Sequence, residues 1–105
     1  QGGAAQGLGW ALMEGYQFSE AGVLQNANLL DYKSPTATDV PFIDTVILEV
    51  PASDGPYGIR GVGETPIIPP LPALANAIHK ATGVRLRELP MNPEAVFQAM
   101  RGQGG

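Results

Sequence analysis

The chain contains no cysteine and only one histidine. Without thiols it can form no disulfide, no thiolate zinc site and no cysteine-held iron–sulfur cluster of its own. His79 stands outside any Glu-x-x-His context, so it reads as a structural residue at or near the surface rather than a metal ligand. Basic residues are also few: six Lys and Arg face ten Asp and Glu, for a net charge of −4. They are scattered and give no electrostatic footprint for a phosphate backbone, which argues against a nucleic-acid partner. No stretch approaches the roughly 20 continuous apolar residues of a membrane span. The acids Asp31, Asp39, Asp44, Glu49 and Asp54 lack the spacing of a metal-binding loop. The Ser and Thr residues have no neighbouring histidine from which to build a nucleophilic triad. Aromatic residues make up 7% of the chain, and Trp10 and Tyr16 are expected to anchor the core rather than to stack on bases.

What is present points to a folded chain. Apolar residues account for 44% of the 105, a globular composition at a length that suits one domain. Fourteen glycines and ten prolines imply much turn and irregular backbone. The chain opens on Gln1 and Gly2-Gly3 rather than Met, which reads as a cut inside a longer protein. Residues 102–105 read as a flexible tail after a structured 1–101.

Residues 3–14 read as a helix in which Ala4, Leu8, Ala11 and Leu12 share a face. Gly3, Gly7 and Ala11 recur every four residues and leave a nearly bare stripe. Each interior glycine costs about 1 kcal/mol against alanine, so a close approach by another backbone or a flat ligand is expected to offset it. Residues 16–25 read as a hairpin turning at Glu20-Ala21-Gly22, and 29–41 as an ordered loop. Residues 44–50 carry the clearest strand pattern, with Val46, Leu48 and Val50 alternating against Thr45, Ile47 and Glu49. Residues 51–70 form a long proline- and glycine-rich connection, of a length that is often functional. A strong helix is predicted over 71–82, with Leu71, Leu74, Ala75, Ile78 and Ala81 inward and Gly83 as its C-cap. Residues 84–87 read as a short extended run. Asn92-Pro93-Glu94 starts a last helix over 93–101, with Val96, Phe97 and Met100 inward.

The loop Gly58-Ile59-Arg60-Gly61-Val62-Gly63-Glu64 stands out chemically. Its glycines permit close approach of a ligand to backbone, and one carboxylate follows at once. It matches neither a dinucleotide fingerprint nor a phosphate loop. Taken alone, Glu64 is a loop acid, either solvated, helix-capping or functional.

Four elements, in order, resemble the C-terminal part of the molybdopterin-binding large subunit of molybdenum hydroxylases: the xanthine dehydrogenase, aldehyde oxidase and carbon monoxide dehydrogenase family. They are Gly2-Gly3-Ala4-Ala5-Gln6-Gly7-Leu8-Gly9-Trp10-Ala11-Leu12; Leu30–Thr36 with Asp39-Val40-Pro41; Gly58–Glu64; and Ala73-Leu74-Ala75-Asn76-Ala77-Ile78. Together they cover nearly the whole chain, and bacterial carbon monoxide dehydrogenase-like subunits look nearest.

The resemblance implies that Glu64 is a general base beside molybdenum in an oxidative hydroxylation whose oxygen comes from water. It implies cofactor proximity for Gly61, Val62, Gly63 and Gln6. The family's first cofactor-contacting glutamine falls two positions ahead of Gln1, so Gln1 takes no such role. Molybdenum is held by the pterin in this family, so no protein metal ligand is expected. The implied cofactors are molybdopterin with Mo, in plain or cytosine dinucleotide form, with iron–sulfur clusters and FAD on partner subunits. The implied partners are a small-molecule substrate, the rest of the large subunit, and the iron–sulfur and flavin subunits, in the cytoplasm. The isolated chain is expected to be inactive, and the rival reading is a non-catalytic scaffold or interaction domain of the same descent. The expected fold is α+β: about three helices around a small, mostly antiparallel sheet that includes 44–50, forming part of a larger cofactor-binding domain.

Overall fold

The computed structural model describes residues 1–102 and contains three helices. These are α1 (Gly2–Leu12), α2 (Pro70–Thr82) and α3 (Pro93–Gly102), with a single 3-10 turn at Pro56–Gly58. All three lie where the hydrophobic periodicity puts them. Of the tail expected over 102–105, residues 103–105 fall outside the described residues, and Gly102 is instead the last residue of α3.

The bare stripe of α1 sets the architecture. A Cβ on Gly7 would sit 2.5 Å from the Ile67 carbonyl oxygen and 2.9 Å from the Pro70 ring. A Cβ on Gly3 would sit 3.0 Å from Pro66. The stripe is therefore filled by the chain itself: the turn before α2, and α2's first residue, lie directly on α1 backbone. A larger residue at position 7 would force the two apart. On another side of α1, Gly9 admits the ring of Pro35 from the 29–41 loop, 2.6 Å from where a Cβ would stand.

Local chemistry fixes the helix ends. Gly83 adopts φ 79° and donates its N–H to the His79 carbonyl at 2.8 Å, closing α2 with a left-handed cap. The ring of His79 makes a 3.2 Å contact from Nδ1 to the Val84 carbonyl, a structural role as expected. The Asn92 side chain accepts the Ala95 N–H at 2.8 Å, an N-cap for α3 with Pro93 in the first helical position. The Met91 N–H donates to the Ala11 carbonyl at 2.7 Å and ties the lead-in of α3 to the end of α1.

The 16–25 hairpin is present in minimal form. Phe18 and Leu24 make one antiparallel bridge, and Gly22 turns the chain at φ 77°. Buried Asn26 closes it, accepting the Gln17 N–H at 2.9 Å and donating to the Gly15 carbonyl at 2.7 Å. The 29–41 loop is ordered by its own side chains. Asn28 accepts the Leu30 N–H, and Asp39 accepts both the N–H and the hydroxyl of Thr36.

Several expectations need correction. The described residues contain no strand beyond that bridge, so the expected sheet is not built within this chain. Residues 44–50 carry no regular structure. A strand needs a neighbour to complete its ladder, and among the described residues no backbone hydrogen bond joins 44–50 to another segment. Trp10 and Tyr16 are 41% and 69% exposed and do not anchor a core. Tyr16 instead packs beside Phe18 and Tyr32 at the surface. Phe97 and Met100 are exposed as well. With Leu12, Met13, Met91 and Val96 they line an open groove of about 750 Å³. On α2 the less exposed face is Leu71, Leu74, Ala75 and Ile78, continued by Thr82 rather than Ala81.

The core is thin. Ala11, Ile67, Val84 and Met91 are its buried apolar residues. The radius of gyration is 17.6 Å, where a compact chain of this length has about 13 Å.

Candidate functional site

The loop that leads to Glu64 is closed on itself at its base. The Arg60 Nε donates to the Val50 carbonyl at 2.7 Å, and the Ala52 N–H donates to the Gly58 carbonyl at 3.1 Å. Gly58, at φ 69°, presses against Pro51, which a Cβ there would meet at 2.8 Å. Tyr57 beside it also takes a left-handed backbone, at φ 56°, with its ring wholly exposed. The connection between 51 and 70 is thus a pinched loop, a 3-10 turn and a proline-rich entry to α2, rather than featureless chain.

Beyond the pinch the backbone opens. Gly61, Val62, Gly63 and Glu64 are all exposed. A Cβ at Gly61 or Gly63 would meet nothing within 4 Å. Among the described residues the N–H groups of 61–64 have no hydrogen-bond partner. The next step is firm again. The Glu64 carbonyl accepts the Ile67 N–H at 3.0 Å, forming a turn that delivers Pro66 to Gly3 and Ile67 to Gly7.

This contact relates the separate sequence expectations. Gln6 lies within one helical turn, about 5 Å of rise, of Gly3. Glu64 lies two residues, at most about 7 Å of chain, from Pro66. Both side chains are exposed. The Gly3–Pro66 contact therefore brings the first and third sequence elements to one side of α1. The pressing prolines were not foreseen as part of the site; the bare stripe and the run of prolines before α2 were the signals available.

What the chain offers here is an uncovered glycine backbone with free N–H donors, followed by one carboxylate. That set suits hydrogen bonding to the polar edge of a cofactor.

Residues 1–41 match the molybdopterin cofactor-binding domain. That stretch includes Gln6 and stops short of Gly61–Glu64. The chain is 41% identical over 98 residues to the putative xanthine dehydrogenase molybdenum-binding subunit of Escherichia coli K12, covering 92% of this chain and 13% of that protein. It is 41% identical over 101 residues to the aldehyde oxidoreductase of Megalodesulfovibrio gigas, covering 95% and 11%. Its fold matches the crystal structure of quinoline 2-oxidoreductase from Pseudomonas putida 86 with a TM-score of 0.84 and 34% identity, over 95% of this chain and 13% of that one. The chain belongs to the family of the xanthine dehydrogenase molybdenum-binding subunit and aldehyde oxidoreductase. It spans 11 to 13% of the length of these three relatives.

Proposed function

We propose that this chain is the C-terminal part, over 1–101, of the cofactor-binding domain of a molybdenum hydroxylase large subunit, and that it delivers Glu64 as general base. The observation that carries this is the setting of Glu64. An exposed carboxylate ends an uncovered glycine backbone, and the turn that follows is braced on α1. Molybdopterin, in plain or cytosine dinucleotide form, would supply the two-electron redox chemistry when bound. Glu64 would accept a proton from the water-derived oxygen destined for an electron-poor substrate carbon. The N–H groups of Gly61, Val62 and Gly63, with Gln6 from α1, would hold the cofactor. Iron–sulfur and flavin partner subunits carry the electrons away, in the cytoplasm. No helix of the described residues is long and apolar enough to cross a membrane.

The test is Glu64→Gln in the intact, partnered large subunit. The amide keeps the shape and hydrogen bonding but loses the basic oxygen. Turnover is expected to fall on the order of 10²–10⁴-fold, with molybdenum content by elemental analysis unchanged. Near-normal turnover of the variant removes the assignment of Glu64, whereas no turnover by the unsubstituted, molybdenum-loaded subunit leaves the non-catalytic scaffold reading in its place.

A further inference from the structure

We propose that Arg60 is a positioning residue for Glu64: its guanidinium clasps the Val50 carbonyl and fixes the upstream end of the open stretch that carries the carboxylate. The proposal deepens the reading of Glu64 as the base and rests on it.

The clasp stands at a particular place in the chain. Arg60 Nε donates to the Val50 carbonyl at 2.7 Å, and among the described residues no other donor reaches that oxygen. It joins positions 10 residues apart and closes a ring. Within the ring the ties are backbone to backbone. The Ala52 N–H donates to Gly58 at 3.1 Å, the Gly58 N–H to Gly55 at 3.3 Å and the Ile59 N–H to Pro56 at 3.2 Å. The Arg60 side chain is the last hold before the chain opens.

Past that point nothing grips the chain until Glu64 itself. Among the described residues, 61–63 make no hydrogen bond, and a Cβ at Gly61 or Gly63 would touch nothing. The second hold is the Ile67 N–H on the Glu64 carbonyl at 3.0 Å, with Pro66 set against Gly3. Between the two holds lie at most about 14 Å of chain. Gly61 and Gly63 both fall in that span, and glycine has the most backbone freedom to lose. The carboxylate returns to one place only if both ends are fixed. Contact with α1 fixes the downstream end, and one arginine hydrogen bond fixes the other.

The contact is that of a tether. Among the described residues only Nε of the guanidinium is engaged. A single donor on a carbonyl is a contact that a lysine ammonium can also make, whereas a two-pronged grip on a carboxylate or phosphate is not. Arg60 is exposed, so its replacement leaves no buried group unpaired and is expected to spare the fold. What it loosens is the mounting of 61–64.

The test uses the intact, partnered large subunit, with an aromatic aldehyde as probe substrate and a redox dye as acceptor. Arg60→Met keeps the stem and removes the donor. Its kcat is expected to fall about ten- to a hundred-fold, with KM and molybdenum content unchanged, and Arg60→Lys is expected to restore most of the rate. Hydrogen–deuterium exchange of a peptide spanning 50–60 is expected to quicken about tenfold in Arg60→Met and not in Arg60→Lys. Added to Glu64→Gln, Arg60→Met is expected to cost nothing further. A full additional loss means that Arg60 acts other than through the carboxylate, and overturns the proposal. An Arg60→Lys subunit as slow as Arg60→Met overturns it too, since the other guanidinium donors are then the ones that matter. Unchanged turnover in Arg60→Met, beside a slow Glu64→Gln, removes the clasp and keeps the base. Near-normal turnover in Glu64→Gln removes the base, and the positioning role falls with it, while quickened exchange still reports the tether.

Discussion

At the scale of single residues, volume at α1 and hydrogen bonding around Glu14 decide most. Gly7→Ala puts a methyl group where the Ile67 carbonyl and the Pro70 ring already stand. It is expected to destabilise the subunit by about 1–3 kcal/mol in chemical denaturation. Gly2→Ala, which meets nothing within 4 Å, is expected to stay within about 0.5 kcal/mol; equal effects at the two sites refute the close-approach account. The Tyr32 hydroxyl donates to the Glu14 carboxylate at 2.7 Å. That hydrogen bond, then burial, then the negative charge of Glu14, push the phenol from 10.0 up to about 12. Because the folded state holds this proton more tightly, the contribution to stability is complete below pH 10 and is lost as pH rises through about 12. Absorbance titration of tyrosinate reads it directly. Glu14→Gln is expected to bring the Tyr32 midpoint back toward its ordinary value, and an unmoved midpoint contradicts the assignment. The glycine stripe and the Gly58–Glu64 loop could be recognised from residue identity alone, since bare backbone has few other uses. Which atoms fill the stripe could not, because Pro66, Ile67 and Pro70 lie far off in sequence.

At the scale of elements, the helices were legible and the sheet was not. Helices satisfy their hydrogen bonds within one segment, so Pro70–Thr82 with Gly83, and Pro93–Gly102 with Asn92, declare themselves through local caps. Asn92→Ala removes the acceptor for the Ala95 N–H and is expected to cost about 1 kcal/mol. Circular dichroism on thermal melting checks it, and no change would mean that α3 starts independently of this cap. A strand, by contrast, is a property of two segments. The alternation in 44–50 speaks of a neighbour, but no other stretch of the chain supplies one. The same reasoning explains Phe97 and Met100. Helical periodicity says which face is apolar, not whether anything covers it, and here that face opens on the groove beside Leu12 and Met91.

At the scale of the whole molecule, four buried apolar residues are too few to enclose a cofactor. The pieces attributed to the site, Gln6 and Gly61–Glu64, lie on the outside of the chain, so any cavity around them needs walls from elsewhere. The chain on its own is therefore expected to retain molybdenum well below one atom per molecule after desalting. Stoichiometric molybdenum by elemental analysis would show that these residues suffice. The family was legible in the sequence because it rests on short ordered motifs, whereas the enclosure of the proposed site was not, since in that reading its walls lie outside these 105 residues.

The brace behind Glu64 is made of proline rings and a carbonyl seated on bare helix, with no charged group among the contacting atoms. Ionic strength has little purchase on such a joint, while one added carbon on the first helix would tilt the carboxylate's mounting. Sequence drift that retunes the proposed base is thus to be sought at the helix glycines, far from the acid itself, and in residue size rather than in charge.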